Sequence, residues 1–200
     1  MRAKKTHTEL RKEQIVRATL DLIAAEGVQA LSIAGIAQRV GIVPSAVYRH
    51  YKGKDELLEA VLDMLRARLQ RNVASVRQRH EGALERLRAL LMRHARMLAE
   101  HGAIPHVIFS DGMYSGHPER KSKVRDIMTG YLREVENIVR EGQEDGTIRA
   151  DIAPKATSVM FLGMILPAAV LWTVSEGEFD AVAHVKNAWP VFEKAIAADA

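Results

Sequence analysis

The 200-residue chain contains no cysteine, which excludes a disulfide framework and any thiolate chemistry. It has no Gly-rich phosphate loop, no nucleophile elbow and no pair of carboxylates at an identifiable site, so no catalytic centre and no cofactor are expected. His94, His101, His106 and His117 form neither an H-x3-H nor an H-E-x-x-H pattern, and no acid stands at fixed ligand spacing. No metal site is therefore expected. The opening MRAKKTHTEL is basic but leads into no apolar core and no small-residue cleavage site, unlike a secretory signal. A reducing cytoplasm fits. No stretch alternates with period two and no segment repeats, which points away from strands and toward an all-α chain.

What is present is ordinary in amount and uneven in placement. Hydrophobic residues make up 48% and charged residues 27%, enough for one or two small domains with a proper core. The net charge is +4. Residues 1–54 hold ten Lys/Arg against four acids, whereas the rest of the chain is slightly acidic. Positive charge gathered on one segment is the footprint of a polyanion partner, although a solvated basic tail accounts for Lys4 and Lys5 equally well.

Within that segment, Ser32–Lys54 reads as two short helices around a tight turn. Ser32 can cap the first, its hydroxyl accepting from an N–H two or three residues on. Ile33, Ile36, Ala37 and Val40 recur at helical spacing and mark a buried face. Gly41 stands where the chain must turn, and Pro44 suits the first turn of a second helix. That helix carries Ser45, Tyr48, Arg49 and His50 outward around an inward Val47. Such a pair of helices can lay its second member in the DNA major groove.

Before it, Thr6 and Glu9 have capping-box spacing. Ile15, Ala18, Leu22 and Ile23 then form a stripe that Gly27 is placed to end in the left-handed conformation. AAEGVQALS, IAQRVGI and AVYRHYKGKDELLEAVL are the most telling runs. On them, residues 8–62 resemble the N-terminal domain of the TetR family of bacterial transcriptional regulators. The resemblance implies a DNA-binding helix–turn–helix domain over 1–54 and a helical ligand-sensing and dimerisation domain over 55–200, about nine helices in all. Tyr48, His50 and Lys54 match family positions that mostly hold backbone phosphates, which set register. Arg49 can reach guanine or phosphate, and Ser45 and Ala46 stand at the helix front. Ser32 and Pro44, at the starts of the two helices, complete the expected DNA-contacting set. Val43 and Ala46 depart from the family, where Ser or Thr and Thr are frequent, so each removes a hydroxyl.

Further along, helices are expected over Asp55–Arg79, Ala83–Glu100, Ala103–Ser110, Glu119–Gln143, Pro154–Ser175 and Phe179–Ala197. DGMYSGHP (111–118) reads as a loop. The apolar run Val159–Val174 falls short of the ~20 residues that span a bilayer, so no membrane partner is expected. A helix apolar nearly all round points instead to a subunit interface. The resemblance implies two-fold pairing of the last two helices, with Leu171, Trp172, Val185, Trp189 and Phe192 as candidate anchors against an alternative as plain core. It also implies a pocket for a small hydrophobic effector, with Met92, Ile108, Phe109, Met113, Tyr114, Met128, Tyr131, Met160 and Met164 on the enclosing helices; a Met stripe is equally a plain core. The expected protein is a homodimeric, cytoplasmic DNA-binding regulator, not an enzyme, that represses until its effector binds. A chromosome-organising DNA binder and a helical ligand binder without DNA readout are the alternatives.

Overall fold

The computed structural model describes residues 6–100, 107, 110–114 and 116–198. Helix α1 (His7–Glu26) starts at the capping box foreseen from its spacing. Thr6 Oγ1 accepts from the Glu9 N–H at 3.2 Å, and Glu9 Oε2 accepts from the Thr6 N–H at 2.7 Å. Gly27 ends it at φ 79°, ψ 168°. This is positive φ, as glycine permits, but with an extended ψ, so the expected left-handed cap does not form. The extended step carries the chain straight to Val28 and Leu31, both buried.

Helix α2 (Ile33–Val40) is capped by Ser32, whose Oγ accepts from the Gly35 N–H at 3.1 Å. Gly41 (φ 73°, ψ 39°) ends it in the left-handed conformation. The Gly41 N–H donates to Gln38 O, and the Ile42 N–H donates to Ala37 O, which together make a Schellman stop. Helix α3 (Pro44–Tyr48) follows, and then α4 (Lys54–Arg79). The Lys52 N–H ahead of α4 donates to Glu56 Oε2 at 2.6 Å.

The chain divides into two compact units. The first comprises Met1–Leu65 with Ala103–Val124. Besides α1–α3 and the start of α4, it holds a single turn α6 (Asp111–Tyr114) and the start of α7 (Pro118–Glu144). The loop expected over 111–118 is thus partly helical, because Met113 is fully buried and its N–H donates to Ser110 O. Arg120, only 2% exposed, pairs with the carboxylates of Asp55 and Glu59. Lys123 Nζ lies 2.7 Å from Glu59 and 2.8 Å from Asp63. Burial alone lowers the Lys123 pKa, but hydrogen bonds to Asp63 and Glu59 outweigh it and hold the ammonium above its ordinary value.

The second unit comprises Arg66–Gly102 with Arg125–Ala200. It contains the rest of α4 and α7, with α5 (Ala83–Glu100), α8 (Pro154–Gly163), α9 (Leu166–Val174) and α10 (Ala181–Ile196). Helix α10 packs on α5 and α9, and Asp180 caps it by accepting from the Val182 and Ala183 N–H groups. Residues 154–174 were expected as one helix but form two. Pro167 has no N–H to give Gly163 O, and its ring crowds that carbonyl. Tight turns from Met164 to Phe161 O and from Ile165 to Leu162 O replace the lost ladder. Counted across the break, Pro154–Val174 is 21 residues long and apolar enough to cross a membrane by length and composition. The expectation of a run too short is corrected, since it overlooked the first turn from Pro154. Glu141 binds α4 and α5 together, accepting from Arg77 at 2.7 Å and Arg86 at 2.9 Å.

The break and α6 add two helices to the nine or so expected, while the one expected over Ala103–Ser110 falls outside the described residues apart from Val107 and Ser110. Among the described residues the only β pairing is an isolated bridge, Ile148 to Ala197. The fold is all-α.

Candidate nucleic-acid interface and ligand cleft

Helix α3 owes its presentation to what lies beneath it. Val47 is fully buried and Tyr51 nearly so, with Lys12 Nζ 5.8 Å from the Tyr51 ring centroid. Gly35 permits the close approach of α2 to α1: a Cβ there would meet Ser32 Oγ at 3.0 Å and Leu22 Cδ2 at 3.2 Å. Sequence reasoning missed Gly35, although a glycine inside an otherwise helical apolar pattern is a usable signal.

With Val47 as the inward pole, Ser45, Tyr48 and Arg49 are exposed, as is Lys54 at the start of α4, while His50 is half-buried. Ala46 is corrected: at 8% exposure it faces the core beside Val47, one helical step from the outward side that was expected for it. Ser32 is half-buried with its oxygen committed to the Gly35 N–H, and Pro44 is exposed. Val43 precedes α3 at 61% exposure, and no side chain caps that helix. Arg39 pairs with Glu26 at 3.2 Å. Arg49, Lys52 and Lys54 make no ion pair within 4 Å among the described residues, which leaves their charge available on this side of the first unit.

The candidate effector residues are divided between the two units. Met113 is fully buried and Tyr114 half-buried in the first unit, whereas Met92, Met128 and Met164 are half-buried in the second. Ile108 and Phe109 lie outside the described residues. Met160 is corrected, standing 60% exposed on α8 opposite the buried pair Phe161 and Leu162. Tyr131 lines a cleft of about 380 Å³ in the second unit. One wall is α4, through Leu69 and Val73; the other is α7, through Ile127, Gly130 and Tyr131. Behind that wall the Tyr131 hydroxyl meets His94 Nδ1 at 3.2 Å, with the rings edge to face. Burial pushes the His94 imidazole down from its ordinary 6.5 to about 4, and pushes the Tyr131 phenol up.

Three of the expected interface anchors are likewise corrected. Val185 is fully buried and Trp189 and Phe192 nearly so, packed within the protomer: the Phe192 ring meets Phe161 edge to face at 6.1 Å between centroids and Trp189 at a tilt at 5.9 Å. Their helical spacing marked burial, and the unit's own core supplies it. Trp172 is half-buried and Leu171 exposed. Among the described residues of the second unit, the large apolar side chains left exposed are Val159, Met160, Val170, Leu171, Val174 and Val191.

Compared with known proteins, residues 15–61 match the family described as bacterial regulatory proteins, tetR family, and residues 80–189 match the tetracyclin repressor-like C-terminal domain. The fatty acid metabolism regulator protein of Bacillus subtilis is 23% identical over 172 residues, covering 85% of this chain and 87% of that protein. The nucleoid occlusion factor SlmA of Vibrio vulnificus is 18% identical over 187 residues, covering 93% and 95%. Among solved structures, the transcriptional regulator FadR from Bacillus subtilis, in complex with stearoyl-CoA, shares the fold with a TM-score of 0.75 and 21% identity. The alignment covers 90% of this chain and 96% of that one.

Proposed function

The chain belongs to the tetR family of bacterial regulatory proteins, and we propose that within it this protein is a dimeric repressor, released from a near-palindromic operator by a small hydrophobic ligand. Membership makes it a DNA-binding transcriptional regulator. The observation that carries the reading of the DNA-contacting surface is the outward side of α3. There Ser45, Tyr48 and Arg49 stand exposed with Lys54, and Arg49 and Lys54 have no carboxylate partner among the described residues. Arg49 reads a base or grips a phosphate, while Tyr48, His50 and Lys54 fix register on the backbone. Ser45 supplies the hydroxyl that Val43 lacks.

The exposed apolar side chains of α8, α9 and α10 support pairing with a second copy, since several large apolar groups left in water favour cover. The domain assignment, residues 1–54 for DNA and 55–200 for sensing and pairing, belongs to the same proposal, as does a cytoplasmic location. For the ligand, similarity to a regulator named for fatty acid metabolism and to one solved with stearoyl-CoA supports a molecule with a long apolar part.

Selection from randomised duplexes, followed by titration at rising salt, tests the reading. One enriched motif with half-sites about 10 base pairs apart is expected, with affinity falling steeply as salt rises. Absence of a motif, or an affinity indifferent to salt, would overturn it. Similarity to SlmA keeps a chromosome-organising role in view; binding concentrated away from promoters across the genome would favour that role.

A further inference from the structure

The cleft in the second unit has cations on both walls that make no ion pair among the described residues. Arg66 projects from α4 and Arg133 from α7, and both line it. Neither has a carboxylate within 4 Å among the described residues. The two acids of the lining are engaged: Glu134 lies 3.8 Å from Arg77, and Asp126 lies 3.5 Å from Arg125, neither of which lines the cleft. The lining is formally neutral, but each of its acids has an arginine outside it within 4 Å, and neither of its own arginines has a carboxylate that close among the described residues. Between the arginines run apolar walls of Leu69, Val73 and Ile127, with the Tyr131 ring.

Gly130 adds an independent observation. It sits in the middle of α7, where glycine is unfavourable relative to alanine. A Cβ there would meet nothing within 4 Å, so no neighbour requires the glycine. Gly130 lines the cleft, so a larger side chain there would take up space that is now open.

We infer that this cleft binds an amphipathic organic anion, its apolar part against Leu69, Val73, Ile127 and Tyr131 and its carboxylate, phosphate or sulfate group between Arg66 and Arg133. The planar guanidinium suits such groups because it donates two parallel charge-assisted hydrogen bonds. A volume of about 380 Å³ falls within the range of small-molecule sites. The inference names the chemical class of the effector and in that respect rests on the reading of the second unit as the sensing unit. Binding itself is measurable without DNA.

Calorimetric titration of the full-length protein with decyl phosphate and with decyltrimethylammonium tests it, since the two probes share a chain and differ in the sign of charge. Decyl phosphate is expected to bind about tenfold more tightly, a difference of one decade in Kd. Arg66→Gln combined with Arg133→Gln should bring the two probes within about twofold. Gly130→Leu, which meets no protein atom at its Cβ, should abolish decyl phosphate binding without lowering Tm. Equal binding of the two probes by the wild type, or a preference surviving the double substitution, would overturn the inference. So would unchanged binding by a folded Gly130→Leu protein. Operator release is measured separately: decyl phosphate that binds the cleft yet leaves DNA affinity untouched supports the site and sinks its role as the effector site.

Discussion

The outward side of α3 presents Ser45, Tyr48 and Arg49 on a helix of five residues, whereas the outward sides of α8, α9 and α10 present Val159, Met160, Val170, Leu171, Val174 and Val191. The first is stable in water while it waits for a partner, because hydrated polar groups lose nothing by exposure. The second is penalised by about 25 cal/mol for each Å² of apolar surface left wet, so it favours cover whether or not DNA is present. One surface therefore suits reversible binding tuned by charge, and the other suits lasting association. Salt separates them: it screens the first and strengthens or spares the second.

The comparison can be broken at several points. The largest expected effect lies just beneath the apolar surface. Trp189→Ala should destabilise the fold by about 3–5 kcal/mol in denaturant titration, as truncation of a buried aromatic does, while the folded fraction keeps its subunit affinity. A weakened dimer with unchanged folding would return Trp189 to the interface. Next, Val174→Asp with Val191→Asp places charges on the exposed face. Light scattering should show monomers, and operator affinity should fall by roughly 100-fold as the second half-site is lost. A persisting dimer would move the interface elsewhere.

A smaller effect comes from the His94–Tyr131 pair in the interior of the second unit. The folded imidazole stays neutral down to about pH 4, but the unfolded one gains its proton near its ordinary 6.5. Between those values the unfolded chain holds more protons, so stability falls as pH drops from 6.5 toward 4. The loss is on the order of 1–3 kcal/mol, and His94→Gln should flatten that part of the profile. An unflattened profile would assign the pH dependence to other groups. The smallest effects are on α3. Arg49→Ala should cost about tenfold in operator affinity and relax base preference, whereas Tyr48→Ala should weaken all duplexes alike by a few-fold. Identical specificity profiles in the two variants would remove Arg49 from base reading.

Much of the first unit was legible before the structure. The Thr6–Glu9 box, the Ser32 cap, the Gly41 stop and Pro44 at the first turn of α3 are local devices. Each depends on residues within four positions and on nothing distant. The reading of Ala46 went astray for a related reason. A five-residue helix has too few turns to reveal its phase, and burial against α1 and α2 set it. Methionine at helical spacing signals only an apolar neighbour. Whether that neighbour is the protein's own core, as for Met113, or solvent, as for Met160, depends on helices far away in the chain. Arg66 and Arg133 escaped notice because they are 67 positions apart and look individually like solvated surface charge.

By itself the sequence determined the all-α class, the helix boundaries of the DNA-reading segment, the positive bias of that segment and the family, since all of these rest on local spacing and composition. The tertiary structure alone decided which apolar residues are spent inside the protomer and which are left over, because burial is shared out only when helices pack. Hence Val185, Trp189 and Phe192 became core, while Val159, Val170, Val174 and Val191 became surface. It likewise decided that two arginines from different helices line one cleft with no carboxylate within 4 Å of either among the described residues.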